Sequence, residues 1–175
     1  MNRTLSAEDI AQAVAHLAAE IRRVHPDEPL ALVGIRSRGD EVAERLCHLL
    51  AEDDRELFYG VLDISLYRDD FEHLHNNPKL QGSEIPFEVD GAHIILVDDV
   101  IFTGRTIRAA LDALFDYGRP AAIELAVLID RGHRELPIQP HFVGMHLTTS
   151  RLDHVHVSLE QTDGQDHIEI TPQHE

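Results

Sequence analysis

The sequence predicts an open α/β fold in which helices flank a mostly parallel β-sheet. Short, wholly apolar runs alternate with amphipathic segments whose apolar residues recur at helical spacing, the rhythm of a sheet covered on both faces. Three of those runs also end in polar motifs, and open α/β sheets bind ligands at the carboxyl ends of their strands. One shared site is therefore expected at Arg36-Ser37-Arg38-Gly39, Asp98-Asp99 and Asp130-Arg131.

Each element follows from its own residues. Ser6 to Asp9 has the form of a capping box, and Ile10, Val14, Leu17, Ile21 and Val24 follow at helical spacing up to Pro26, which predicts an amphipathic first helix. Leu30 to Ile35 reads as a buried strand. Gly39 to Ala51 reads as a second helix with Val42, Leu46, Leu49 and Leu50 inward. Leu57 to Leu66 is the next strand, and residues 67–90, with Asn76-Asn77-Pro78, Gly82 and Pro86, read as a long excursion or hairpin. Ala92 to Val97 is a third buried strand, Arg105 to Tyr117 a helix closed by Gly118, and Ile123 to Ile129 a further strand. Beyond Pro140, the segments around Phe142-Val143-Gly144 and Val155-His156-Val157 suggest a small β cap over residues 140–170.

Composition narrows the function classes. A chain of 175 residues is expected to form one domain over 1–175 with a sizeable core, and no apolar run approaches the roughly 20 residues of a membrane span. The opening residues lack the apolar core of a signal peptide, so a cytoplasmic protein is expected. Cys47 is the single cysteine and lies in a helical pattern, which marks a packed residue and not a nucleophile. The formal net charge is -17, with 32 acidic residues against 15 basic ones, and Lys79 is the only lysine. Such a field repels phosphate backbones, so any nucleic-acid surface must be local and built from arginine. The 13 histidines are scattered, with no HExxH or Cys/His spacing, so a structural metal site is not expected.

The most informative segment runs from His93 to Thr106. A buried strand leads into Asp98 and Asp99, then Val100-Ile101-Phe102, Thr103, Gly104, Arg105 and Thr106, where a helix opens. Carboxylates accept from sugar hydroxyls, while loop amides and a helix N-terminus hold a phosphate, so this order can grip a phosphorylated sugar at both ends. An ordinary helix cap needs one Asp or Thr and does not account for both acids, both hydroxyls and the glycine.

Val97 to Thr106 resembles the phosphoribosyl pyrophosphate (PRPP) loop of type I phosphoribosyltransferases. With Gly34 to Gly39, Leu66 to Asp70 and Ile129 to Ile138, all in the family's order, the chain resembles the PyrR family of pyrimidine operon attenuators with uracil phosphoribosyltransferase activity over about residues 5–170. The resemblance implies the type I phosphoribosyltransferase fold with a flexible loop and a small β hood. It makes Asp98 and Asp99 the ribose contacts, Phe102 to Thr106 the 5-phosphate cradle together with neighbouring Val100 and Ile101, and Ser37-Arg38-Gly39 the pyrophosphate loop. Arg68 becomes a pyrophosphate contact on the loop beginning at Tyr67-Arg68-Asp69-Asp70. Asp130 and Arg131 become the wall of the base pocket, and the main chain near Val155 a reader of the uracil edge. The catalytic candidates are Asp98, Asp99 and Arg131. Mg2+ is expected to arrive with PRPP and to have no direct protein site.

The implied reaction converts uracil and PRPP to UMP and pyrophosphate. Its oxocarbenium-like transition state calls for positioning and electrostatics, and no general base stands out. Two other readings stay open: a sensor of UMP or UTP that binds attenuator RNA with little catalysis, and a phosphoribosyltransferase for hypoxanthine or orotate. The resemblance also implies a dimer or tetramer. Gln139 stands where relatives have arginine, Met145 where they have lysine, and Ala15, His16 and Ala19 where they carry polar or basic groups. Binding of pyrimidine-operon leader RNA is therefore expected to be weak or absent. For His133-Arg134-Glu135, a surface turn before Pro137 is the expected role.

Overall fold

The computed structural model describes residues 2–69 and 82–173. In chain order the elements are β1 (Arg3–Leu5), α1 (Ala7–Val24), β2 (Leu30–Ile35), α2 (Gly39–Leu50), β3 (Leu57–Leu62), β4 (His93–Ile101), α3 (Arg105–Phe115), β5 (Ala122–Asp130), β6 (Phe142–His146), β7 (His154–Ser158), α4 (Glu160–Asp163) and β8 (His167–Thr171). Strands β3-β2-β4-β5-β6, in that spatial order, form one parallel sheet, and β1-β8-β7 form a smaller antiparallel one. No helix among the described residues is long and apolar enough to cross a membrane.

The start of α1 is set by the capping box read from the sequence: the Ser6 hydroxyl accepts from the Asp9 amide at 3.3 Å while the Asp9 carboxylate accepts from the Ser6 amide at 2.7 Å. The central strands are apolar on both faces because both faces are covered. Ile95 and Val97 of β4 and Ala126 and Leu128 of β5 pack with α1 and α2, whereas Ile94, Leu96, Leu125 and Val127 pack with Ile107, Ala110 and Leu114 of α3. Each of the larger aliphatics, valine, leucine and isoleucine, contributes about 1.5–3 kcal/mol relative to exposure.

The structure departs from the sequence reading in four places. Strand β3 stops at Leu62 and not Leu66, because Asp63 turns the chain: its carboxylate accepts from the Ser65 amide (3.0 Å) and the Gly82 amide (3.1 Å), and its own amide donates to the Ser83 hydroxyl (2.8 Å). Strand β4 does not end before the aspartates but carries them, since pairing with β5 continues through Asp98↔Val127 and Val100↔Ile129. Phe142–His146 is not part of a β cap over 140–170. It is the fifth strand of the main sheet, in register with Ala126 to Asp130. The small sheet instead recruits the N-terminal strand Arg3–Leu5, which is too short to carry a periodic signal. Of the excursion at 67–90, Asp70 and residues 71–81 lie outside the described residues; its return is marked by an antiparallel bridge between Val61 and Glu84.

The small sheet is held to the main body by ion pairs from α2. Glu41, 3% exposed, accepts from Arg45 (2.6 Å), from the amides of Gln161 and Thr162 (3.1 and 3.2 Å) and from the Thr162 hydroxyl (3.0 Å), so it caps the short helix α4 from across the interface. Arg45 also grips Asp166 with both terminal nitrogens at 2.7 Å. Truncating Glu41 leaves buried donors unmatched. Glu41→Ala is expected to cost about 3 kcal/mol, and a urea midpoint unchanged from wild type would show that this cap does not hold the two sheets together.

Candidate active site

The sheet order reverses between β2, whose chain proceeds to β3 on one side, and β4, which lies on its other side. The loop after β2 and the acidic end of β4 therefore meet at a topological switch point, where open α/β sheets leave a crevice. Gly39 makes that meeting close: a Cβ there would lie 2.6 Å from the Val97 carbonyl oxygen and 3.1 Å from Asp98 Oδ1, so any side chain would push the loop off β4. Ser37 is exposed, and Arg38 starts α2 with a φ of +75°.

Asp98 is 4% exposed and Asp99 half-buried. The Asp98 carboxylate accepts from the Asp99 amide (2.9 Å) and the Asp99 carboxylate from the Val100 amide (2.8 Å). Burial, joined by the neighbouring negative charge of Asp99, pushes the Asp98 carboxyl well above its ordinary range; burial also raises Asp99, against the pull of its hydrogen bonds and of Arg38. The pair shares its proton uptake.

Immediately beyond, the N-cap Gly104 adopts a φ of +93° and offers no side-chain cap, and α3 starts at a cleft of about 290 Å³ lined by Arg68, Asp69 and residues 100–107. The Thr103 hydroxyl accepts from the Arg105 amide (3.3 Å), and the Thr103 carbonyl from the amides of Glu135 and Leu136 (2.9 and 3.1 Å). The Arg105 side chain faces outward and joins Asp69 (2.8 Å) to Glu135 (2.9 Å), tying the start of the excursion to the segment after β5. Arg105 thus contributes its guanidinium to loop positioning, while its amide is taken up by Thr103.

Arg134 takes a connecting role that the sequence reading missed. Its guanidinium donates to Asp130 Oδ2 (2.7 Å), the Ile138 carbonyl (2.9 Å) and the Phe102 carbonyl (3.0 Å), so it joins the end of β5 to the loop beyond β4. The expected surface turn is a clamp. Burial pushes Asp130 upward, but Arg134 and the Gly132 amide outweigh it, and the carboxyl sits below its usual range. No local spacing signals this role, because the Phe102 partner lies 32 residues away.

Arg131 is 7% exposed, its guanidinium carbon 4.1 Å from the centre of the Phe102 ring, and it donates to the Ser150 carbonyl (3.0 Å). Its Nε is buried without a hydrogen-bond partner, and desolvation lowers its pKa. Beside it a cleft of about 460 Å³ is lined by Asp130 to Arg134, Gln139 and His146 to Thr149.

Two candidates are placed differently from expectation. Arg38 extends toward the small sheet and makes a two-point ion pair with Asp163 (3.0 and 2.8 Å). Val155 lies on the edge strand β7, paired with Ile170 and packed against the core, and no described contact joins it to Asp98 or Arg131. Cys47 is packed, its thiol pushed up to about 12 by burial, which suits a structural role.

Residues 3–162 match the family described as the phosphoribosyl transferase domain. Among curated proteins, the chain is 51% identical over 170 residues to a bifunctional protein PyrR from Akkermansia muciniphila, covering 97% of this chain and 95% of that one. It is 49% identical over 168 residues to the protein of that name from Thermus thermophilus, covering 95% and 93%. Among solved structures, a hypoxanthine phosphoribosyltransferase from Trypanosoma cruzi superposes with a TM-score of 0.72 at 19% identity over 95% of this chain and 93% of that one. A hypoxanthine-guanine phosphoribosyltransferase from Bacillus anthracis gives 0.66 at 21% identity over 83% of each.

The buried acid pair sets a pH-dependent stability. Because the folded-state pKa of Asp98 lies above its unfolded value, folding is penalised as pH rises through that interval and the penalty persists at neutral pH. Asp98→Asn should therefore raise stability at pH 7 by about 1 kcal/mol, roughly 2–4 °C in Tm, with the gain shrinking toward pH 4. Calorimetry of both proteins across pH 4–8 checks the sign; a variant less stable at pH 7 would contradict the assigned cost.

Proposed function

The chain belongs to the phosphoribosyltransferase family and, within it, to the bifunctional PyrR proteins, and on that premise we propose that it transfers the 5-phosphoribosyl group of PRPP to uracil, giving UMP and pyrophosphate. The observation that carries this reading is the succession, along one segment, of the buried acid pair of β4 and a cleft at the head of α3, whose N-cap Gly104 offers no side-chain cap.

Asp98 and Asp99 accept from the ribose 2- and 3-hydroxyls and place negative charge beside the anomeric carbon as its bond to pyrophosphate breaks. The amides from Phe102 to Thr106, with the Thr103 and Thr106 hydroxyls, hold the 5-phosphate at the head of α3. The main chain of Ser37 to Gly39 holds the leaving pyrophosphate. Arg68, at the rim of the cleft, approaches the same anion, and Arg38 reaches it on exchanging Asp163 for a more highly charged partner. Hard carboxylate oxygens suit the Mg2+ that accompanies PRPP, which would contact Asp98 and Asp99 through water and supply neutralising charge to the pyrophosphate. Arg131, held over Phe102, and Asp130, held by Arg134, form the wall of the base site, and Val155 lies outside the cleft beside them. The uracil nitrogen ionises without a dedicated protein base. Self-association into a dimer or tetramer and a cytoplasmic location belong to the same reading.

The regulatory half of the reading is UMP- or UTP-dependent binding of pyrimidine-operon leader RNA, and we propose that it is weak. Arg38, Arg45, Arg105, Arg134 and Arg151 are each committed to carboxylates of the same chain. Ala15, His16 and Ala19 are exposed on α1, Gln139 is exposed, and half-buried Met145 packs against the core.

Steady-state assays with uracil, hypoxanthine and orotate test the substrate: turnover of uracil alone is expected, and turnover of another base without uracil would overturn the assignment. Changing both acids, Asp98→Asn with Asp99→Asn, is expected to lower kcat/KM by at least about 100-fold; near-normal activity would remove them from the ribose site. For RNA, affinity for a leader hairpin with UMP at 50 and 200 mM salt is expected to be weaker than micromolar at the higher salt. Submicromolar, UMP-dependent binding there would overturn the discount.

A further inference from the structure

At the end of the main sheet opposite the acid pair, three side chains that are distant in sequence point their polar atoms at one another. His25 closes α1, His93 opens β4 and Glu124 lies near the start of β5. His25 Nε2 is 2.5 Å and His93 Nε2 2.8 Å from the same carboxylate oxygen, Glu124 Oε2, and the three ligand atoms lie within 4.8 Å of one another. On its far side, His25 Nδ1 is 2.8 Å from the Glu28 carboxylate. We infer that His25, His93 and Glu124 form a binding site for a divalent transition-metal ion of the zinc type, separate from the phosphoribosyltransferase site.

The chemistry of the donors selects the ion. Two imidazoles and one carboxylate suit zinc and its neighbours, whereas Mg2+ and Ca2+ take oxygen ligands. Three protein donors leave a fourth tetrahedral position for water. His93 has 28% of its side chain exposed and borders a shallow surface hollow with Glu28, Phe58 and Gly91, which supplies an entry path. The Glu28 carboxylate is the outer partner that fixes a ligating histidine: with a metal on Nε2, Nδ1 keeps its proton and donates it to Glu28. Arg55 donates to the His25 carbonyl at 2.7 Å and so fixes the main chain that presents the ring. Metal insertion needs the donor atoms to separate by roughly 0.5–1 Å from their present contacts, given metal–ligand bonds of about 2.0–2.2 Å. Side-chain torsions can supply that movement without displacing a strand. His93 precedes Asp98 by five residues, roughly 17 Å along β4, so the ion stands outside the reaction and fastens the end of α1 to the starts of two central strands.

Isothermal titration of the chelator-stripped full chain with Zn2+ tests the site. One ion per chain is expected, with a rise in Tm, and the Co2+ form is expected to show the intense visible bands of four- or five-coordinate metal. His93→Ala and Glu124→Gln should each weaken Zn2+ binding at least 100-fold while leaving phosphoribosyl transfer unchanged, and Glu28→Gln should weaken it about 10–100-fold. Metal-free wild type and His93→Ala should melt within about 2 °C of one another, which separates loss of ligation from loss of folding. No saturable binding, or equal binding by wild type and Glu124→Gln as scattered histidines would give, overturns the assignment.

Discussion

The placement of two carboxylates inside the central strand of the sheet is the constraint around which the rest of the molecule is arranged. A buried carboxylate is costly unless something nearby accepts its charge, and the cost is met here only in part, by two main-chain amides and by the field of Arg38 and Arg68. The proposed ribose and magnesium contacts of this pair rest on that unmet remainder. Gly39 lies against Val97 and Asp98 because a bulkier residue would move the loop after β2 away from the acids. Gly104 turns the chain so that α3 starts at the cleft that follows the acid pair.

Arginine is used throughout as an internal connector. Arg134 joins the end of β5 to the main chain beyond β4, Arg105 joins the excursion to the segment after β5, and Arg38 and Arg45 join α2 to the small sheet. An acidic chain with few basic residues thereby commits most of its positive charge to itself. The two functions associated with the PyrR proteins draw on this supply unequally. Phosphoribosyl transfer relies mainly on main-chain amides, carboxylates and a few arginines within the cleft, whereas RNA binding requires cations facing outward.

The parallel sheet, its covering helices and the residues of the proposed site were legible in the sequence because each rests on a local pattern. Apolar runs of six or so residues mean buried strands, Ser6 with Asp9 means a helix start, and an Asp pair before a threonine-glycine turn means a sugar-phosphate grip. Where neighbours decide, the local pattern misplaced the boundaries. Strand β4 extends through the aspartates because β5 offers it partners, and Phe142–His146 joins the main sheet because Ala126 to Asp130 leave an open edge there.

Only the tertiary structure decided what the arginines and histidines do. Arg134 becomes a clamp when Asp130 and Phe102 come within reach of its guanidinium, and Glu41 becomes a cap for a helix about 120 positions away when the small sheet docks on α2. His25, His93 and Glu124 share one point because the end of α1 and the starts of β4 and β5 lie at the same edge of the sheet. The sequence by itself determined the alternation of strands and helices and placed the two carboxylates at the end of β4, since these depend on residues within a few positions of one another. Long polar side chains acquire their roles from partners tens of residues distant, and that distance closes only when the sheet is assembled.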